Sequence, residues 1–155
     1  MNKKFWLSFV VTYIVYEILE FIIHNVLLKS TYTSDAMMKI LRPQADIKVW
    51  LLFVVGLFFI FFFCWIFVKG NEGKGLMEGV RYGSYIGLMV IVPMAFATYA
   101  TQPIPFGLAL QWFIYGIIEI IIIGGVLAQI YGGKAVEAET IAETEIKTES
   151  ETTSE

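Results

Sequence analysis

Cysteine and histidine are nearly absent from this chain of 155 residues, in which Cys64 and His24 are the single representatives of their types. One cysteine cannot form an intramolecular disulfide or a cysteine-based zinc site. One histidine cannot provide both ligands of a bis-histidine haem, nor the two Glu-x-x-His motifs of a di-iron helical bundle. The sequence also contains no recognisable Ser/His or Cys/His constellation for nucleophilic catalysis, so enzymatic activity is not the expected function.

Charged residues are scarce in four long segments. Hydrophobic residues make up 57% of the chain, whereas a soluble domain is about 45–50% apolar. Each segment is long enough for a helix to cross about 30 Å of hydrocarbon, and helices satisfy the backbone groups that lipid cannot. The sequence therefore predicts an all-α membrane protein, an up-down bundle of four transmembrane helices: TM1 at 5–28, TM2 at 49–68, TM3 at 80–99 and TM4 at 107–131.

Basic residues in the connections predict the orientation of the bundle. One side of the membrane holds six of them, namely Lys3, Lys4, Lys69, Lys74, Arg81 and Lys134, and the other side holds four, namely Lys29, Lys39, Arg42 and Lys48. Because cytoplasmic loops carry the excess of lysine and arginine, we expect both termini in the cytoplasm. Aromatic residues such as Tyr32 and Trp112 are expected to mark the membrane interfaces. The expected partner is the lipid bilayer and not nucleic acid.

The last segment, 134–155, has a different composition from the rest of the chain. It contains seven glutamates and two lysines among small polar residues. So little apolar surface cannot support a packed fold. We expect a disordered, acidic tail on the cytoplasmic side.

TM1 carries an unusual polar stripe. At 100° per residue its four polar side chains fall within about 60° of one another on one helix face. A charged residue near mid-membrane costs about 2.5–3.5 kcal/mol on insertion scales. At least one of the two acids is therefore expected to be protonated or paired. The stripe consists of Tyr13, Glu17, Glu20 and His24.

TM4 carries a second set of polar residues at successive spacings of four, namely Gln111, Tyr115 and Glu119. In an up-down bundle with short loops, TM1 and TM4 can be neighbours. Their polar faces would then form one intramembrane polar site in the interior of the bundle.

Three interpretations of this polar site are open. The acids can be protonated and hydrogen-bonded to facing helices, so that they stabilise packing. They can form a pathway for protons or cations, for which intramembrane carboxylates and histidine are typical. They can also bind a metal ion through Glu17, Glu20, His24 and Glu119, a mixed set of carboxylates and imidazole. No other cofactor is expected.

Glycines occur at every fourth position just before TM3 and in its first turns. This Gly-x-x-x-Gly spacing lets two helices approach closely, either within the bundle or between two copies of the chain. The ladder consists of Gly75, Gly79, Gly83 and Gly87. Glu78 and Arg81 lie among these glycines, and we expect them to be paired anchors at the membrane interface.

The connection between TM1 and TM2 predicts a short surface helix. Ser34 or Asp35 can cap it, Met37 lies on its apolar side, and Pro43 ends it. We expect it along the membrane surface or over the mouth of the bundle.

The segment 74–83, Lys-Gly-Leu-Met-Glu-Gly-Val-Arg-Tyr-Gly, resembles small four-span bacterial membrane proteins whose function is uncharacterised. The following Gly87, the segment 124–131 and His24 before two leucines are also similar. The resemblance covers residues 1–133. It implies the four-span fold, and with it we expect a bacterial inner membrane, but it implies no activity.

The expected function is a non-enzymatic accessory subunit or a self-associating bundle that packs through the glycines of TM3, as a homo-oligomer or in a larger membrane complex. The first alternative is a proton- or cation-coupled carrier that uses the intramembrane Glu and His residues. The second alternative is a metal-binding membrane protein.

Overall fold

The computed structural model describes the backbone of residues 3–152 and the side chains of residues 3–43 and 45–132. About 85% of the chain is helical, and the described part contains no strand. The elements are α1 (Lys3–Ile22), a π-helical turn (Ile23–Leu27), α2 (Lys29–Tyr32), α3 (Asp35–Met38), a 3₁₀ turn (Gln44–Asp46), α4 (Val49–Gly70), α5 (Leu76–Thr101) and α6 (Phe106–Thr152).

Four helical segments are long and apolar enough to cross a membrane, which confirms the predicted fold class. They are Lys3–Leu27, Val49–Gly70, Leu76–Thr101 and Phe106–Gly132, with mean hydropathies of 1.8, 3.0, 1.5 and 2.2. The third span begins earlier than predicted, at Leu76, because Gly75 with φ 71° ends the preceding connection and the helix starts directly after it. The acidic segment 134–155, predicted to be a disordered tail, is described only in its backbone as far as Thr152, where it continues α6, and its side chains lie outside the described residues.

The helices pack in the order α4, α1, α6, α5. Here the near end of the bundle is the end that holds Lys3 and the connection 71–75, and the far end holds the connections 28–48 and 102–105. In the half of the bundle toward the near end, Tyr82 of α5 donates a hydrogen bond to the carbonyl oxygen of Phe63 in α4 at 2.6 Å. Its ring also packs against Phe67. These contacts join α4 to α5 where the aromatic core is densest.

The glycines of α5 pack against α6 of the same chain. A Cβ atom at Gly83 would lie 2.5 Å from the carbonyl oxygen of Ile120, and Gly79 faces the backbone of Gly124. Gly87 meets side chains of α6 instead of its backbone. Gly75 is not part of the ladder, because it precedes the helix with a positive φ. The glycine face is therefore covered within the chain, and a second copy cannot pack on it while α6 is there.

The far end is covered by the first connection. Ser34 precedes α3 in an extended conformation, but its hydroxyl donates to the carbonyl oxygen of Thr31 and does not cap the helix. Met37 is 0% exposed and packs with Leu28 and Leu108 in a second apolar cluster. The connection thus lies over the mouth of the bundle, held by burial of apolar side chains.

Glu78 and Arg81 do not form the predicted pair. The Glu78 carboxylate is 8% exposed and accepts the backbone N–H of Glu72 at 2.6 Å and of Lys74 at 2.7 Å. Arg81 is exposed. Backbone N–H groups in the tight connection have no helical partner. They donate to the Glu78 carboxylate, which was expected to pair with Arg81. Glu78 therefore organises residues 71–75.

Candidate intramembrane site

A cavity of about 540 Å³ lies between α1, α4, α5 and α6. It extends from the middle of the spans toward the far end, and most of its wall is apolar. Its polar lining includes Glu17 and Glu20 of α1, His24 of the π-helical turn and Glu119 of α6. The four residues named for the ion pathway and for the metal site thus line the same space.

The π-helical turn determines where the end of this polar stripe lies. The amide of Leu28 donates to the carbonyl oxygen of Ile23 at 2.8 Å, a bond across five residues in place of the usual four. The wider turn contains the buried Ile23 and His24, and both side chains line the cavity. Single π-helical turns within α-helices occur frequently at functional sites.

Glu20 and His24 belong to a chain of hydrogen bonds that leads toward the far end. Tyr16 donates to Oε1 of Glu20 at 2.9 Å. Nε2 of His24 lies 3.2 Å from Oε2 of Glu20. On the other side of the ring, Nδ1 lies 2.7 Å from the hydroxyl of Tyr32. Trp112 of α6 donates its indole N–H to the same hydroxyl at 2.7 Å. The chain joins α1, α2 and α6.

The donor groups determine the direction of the hydrogen bonds in this chain. The indole of Trp112 can only donate, so the Tyr32 oxygen accepts from it and directs its own hydrogen toward Nδ1 of His24. Burial raises the pKa of Tyr32 to about 12, and the hydrogen bond from Trp112 lowers it by a smaller amount. The Tyr32 hydroxyl therefore keeps its proton. This direction makes Nδ1 of His24 an acceptor and leaves Nε2 to donate to Glu20.

One oxygen of Glu17 and one oxygen of Glu119 are not satisfied in this way, although Tyr13 interacts with the Glu17 carboxyl group. Among the described residues, Oε1 of Glu17 and Oε1 of Glu119 are buried and have no hydrogen-bond partner. The Glu119 side chain is 5% exposed. A buried carboxylate without a partner is costly, whereas its protonated form, or the carboxylate with a cation against it, is tolerated. These two groups can therefore take up a proton or a cation from the cavity.

A glycine makes room for one of the two carboxyl groups. A Cβ atom at Gly56 of α4 would lie 2.8 Å from Oε1 of Glu17 and 2.8 Å from Cε1 of Tyr16. No larger residue fits there without moving one of them. Gly56 is a feature of the site that helical periodicity did not identify, because it contributes no polar group.

Three predicted members of the polar site do not line the cavity. Tyr13 donates to the carbonyl oxygen of Phe53 at 3.1 Å, Gln111 accepts from Thr31 at 3.2 Å, and Tyr115 packs beside the far-end cluster. A spacing of four residues advances about 40° around a helix, so Gln111 lies about 80° from Glu119 and faces another direction.

Tyr16, Tyr32 and Trp112 are the site residues that sequence reasoning missed. Tyr32 and Trp112 were assigned to the membrane interface from their aromatic character alone. Two spacings in the sequence place two of them on the same helix faces as the acids. Tyr16 precedes Glu20 by four residues, and Trp112 precedes Glu119 by seven.

No metal centre is formed within the described part of the chain, where no group of three or more His, Cys, Asp or Glu side chains is arranged to hold an ion. Glu20 and His24 bond to each other and to tyrosines. The metal-binding alternative therefore lacks an arranged ligand set among these residues.

No protein-family model, curated protein or solved structure matches the chain. The resemblance to uncharacterised four-span bacterial proteins thus stays a prediction. Fold and site together define the class: a four-span helical membrane protein with a carboxyl-lined cavity inside the spans.

Proposed function

We propose that this chain is a proton-coupled membrane carrier whose binding site is the cavity around Glu17 and Glu119. The observation that carries the proposal is the pair of buried carboxyl oxygens that lack a hydrogen-bond partner among the described residues and belong to the wall of one cavity. A carboxyl group that serves packing alone is expected to have both oxygens satisfied, since an unmade buried hydrogen bond costs about 1–3 kcal/mol.

We expect the movement of a proton to be coupled to that of a substrate because the cavity contains several acids and little positive charge. Glu17, Glu20 and Glu119 share a space whose other polar lining is Tyr16, His24, Asn25 and Trp112. Several carboxylates cannot all stay ionised in a medium of low dielectric constant, because their mutual repulsion grows as the dielectric constant falls. A proton and a cationic substrate therefore compete for the same carboxylates, and this competition couples their movements.

The hydrogen-bonded chain supplies a route for the proton. His24 has one ring nitrogen on Glu20 and the other on Tyr32. An imidazole in this arrangement can accept a proton at one nitrogen and release a proton from the other. Tyr32 belongs to the connection over the far end, so the chain leads from the cavity toward that surface.

The other candidate, a self-associating bundle packed through the α5 glycines, is less well supported, because α6 of the same chain covers that face. For the location we propose a bacterial inner membrane with both termini in the cytoplasm, since basic residues favour that side. The cavity would then open toward the outer half of the bilayer.

The test is proton movement in proteoliposomes that contain a pH-sensitive dye, under an imposed membrane potential and with a gradient of Na⁺, K⁺ or an organic amine, because coupled exchange moves protons only when a cation is present. Protein-dependent proton flux is expected for the parent chain, and Glu119→Gln should abolish it while the variant stays folded. Glu72→Gln is the matched control, because Glu72 is an exposed acid in the near-end connection. Undiminished flux in a Glu17→Gln, Glu119→Gln double variant would refute the proposal.

A further inference from the structure

We infer that the substrate of this cavity is a lipophilic organic cation that enters from the bilayer between α4 and α5. The inference rests on the proposed function and adds to it the chemical class of the substrate and the route of entry. It is argued from charge, from the walls of the cavity and from the residues at its mouth.

The charge requirement comes from Glu119 and Glu17. Each belongs to the cavity wall with a buried carboxyl oxygen that has no hydrogen-bond partner in the described part of the chain. Glu119 is 5% exposed, so it does not obtain its partner from the surface. A positively charged group in the cavity would therefore complement these carboxyl groups when they are ionised. The described residues offer no arranged set of metal ligands, which favours an organic cation over a divalent metal ion.

The walls favour a cation with an apolar body. Phe53, Ile91 and Trp112 line the cavity together with the acids. Aromatic faces attract organic cations, and they do so most strongly where water is excluded. The volume of about 540 Å³ falls within the range of about 300–1,000 Å³ that is typical of small-molecule sites.

The mouth of the cavity is lined by residues of α4 and α5 and, at one edge, by Phe21 of α1, which is 61% exposed. Leu52 and Val55 of α4 and Met94 of α5 line the cavity and are also 61%, 58% and 44% exposed. A side chain that is both exposed and part of the wall lies at the opening. All three are apolar and belong to spans, so this opening faces hydrocarbon. Nearer the other end, the contact of Tyr82 with Phe63 joins the two helices.

Binding exchanges a proton for the cation. The O–H bond of the Glu119 carboxyl group breaks, the proton leaves through the Glu20 and His24 chain or directly to water, and the cation neutralises the carboxylate. No electron is transferred and no other bond changes. The groups that can share the proton are Tyr13, Tyr16, Glu17, Glu20 and His24 on α1 and its π-helical turn, whereas the walls from α4 and α5 are apolar.

The experiment is equilibrium binding of tetraphenylphosphonium to the full chain in lipid nanodiscs, compared with tetraphenylborate, which has the same shape and the opposite charge. We expect saturable binding of the cation alone, with proton release into a weakly buffered solution. Glu119→Gln should weaken binding at least about tenfold.

Two neighbouring leucines provide the test of the entry route. Leu52→Trp should narrow the mouth and weaken binding or slow entry several-fold. Leu51→Trp is the matched control, because Leu51 is exposed to a similar environment but is not in the wall of the cavity. A folded Leu52→Trp variant with parental binding and entry, or equal losses in both variants, would overturn the route.

Failure of this inference is distinct from failure of the proposed function. If tetraphenylphosphonium does not bind saturably, or binds no better than tetraphenylborate, while proton flux still depends on Glu119, the substrate class is wrong and the proton-coupled site stands. If the cation binds in a Glu119-dependent manner but releases no proton and drives no flux, the coupling is wrong and the inference falls with it.

Discussion

Oε1 of Glu17 lies so close to Gly56 that a Cβ atom on the glycine would be 2.8 Å away. This relationship joins α1 to α4 beside the cavity, and it places a carboxyl group where α4 has no side chain. The glycine serves the site by leaving space, and the space is occupied by an acid that has one oxygen without a hydrogen-bond partner among the described residues.

Gly56→Ala should therefore disturb the site as well as the packing. The added methyl group must displace the end of the Glu17 side chain and the ring of Tyr16. Because both are side-chain atoms that can move, we expect a cost near the lower end of the range of about 1–3 kcal/mol for overpacking. We expect a lower thermal midpoint in detergent and proton flux reduced several-fold. Gly70→Ala, in the same helix, is the control, because nothing lies within 4 Å of a Cβ atom there. Equal behaviour of the two variants would contradict the close contact.

Tyr32→Phe should interrupt the proton route without removing any acid. It deprives Trp112 of the acceptor at 2.7 Å and His24 of its partner at 2.7 Å. These groups are half-buried, so leaving them unpaired is expected to cost no more than the lower part of the range of about 1–3 kcal/mol for buried groups. We expect a moderate loss of stability and a larger loss of proton flux, measured on folded protein in proteoliposomes.

The control for that experiment is Tyr85→Phe, since Tyr85 is 68% exposed on α5. It should match the parent chain in both measurements. If Tyr32→Phe lowers stability and leaves flux unchanged, the hydrogen-bonded chain is structural and the proton takes another path.

Gly83→Ala should destabilise the pair of helices α5 and α6 strongly. The new Cβ atom would lie 2.5 Å from the carbonyl oxygen of Ile120, so the two backbones must separate. Gly87→Ala is a graded comparison, because its Cβ atom would lie 3.3 Å from the flexible end of Ile117. We expect a loss of about 1–3 kcal/mol for Gly83→Ala and a smaller change for Gly87→Ala, measured by thermal unfolding. The reverse order would be incompatible with packing of this face inside the chain.

Glu78→Gln should loosen the connection 71–75 and leave transport intact. The glutamine retains one oxygen acceptor for the two backbone N–H groups that Glu78 now accepts. A hydrogen bond to a charged group is worth about 1.5–3 kcal/mol, and we expect a loss in that range. Faster proteolytic cleavage within residues 71–75, with unchanged flux per folded molecule, would match this role. Unchanged cleavage would argue against it.

The four spans were predictable because hydropathy and length act locally. The neighbouring positions of Glu17, Glu20 and Glu119 could be inferred from one helical period in each of two helices. The same period assigned Tyr13 and Gln111 to the site. Gln111 is rotated about 80° from Glu119, whereas Tyr13 lies on the predicted face but one turn nearer the near end, where it bonds to Phe53. Helical periodicity also placed His24 on this face, but the π-helical turn that contains it is not registered by hydropathy or by helical periodicity.

The remainder of the site depends on contacts between residues that are distant in the sequence. Tyr32 and Trp112 meet because the first connection lies over the far end, packed through Met37. Gly56 faces Glu17 because α4 returns antiparallel to α1. A single sequence carries no signal for such pairings, so an aromatic residue at a membrane interface and an aromatic residue in a site have the same local pattern.

The most direct test of the central claim is the protonation state of Glu119, measured by infrared difference spectroscopy of the full chain in nanodiscs. The account predicts a carboxylic acid C=O band at neutral pH in the substrate-free parent chain. Glu119→Gln should remove that band, Glu72→Gln should retain it, and saturating tetraphenylphosphonium should abolish it with release of the proton. A band that is the same in the parent chain and in Glu119→Gln, and that does not respond to the cation, would contradict the account.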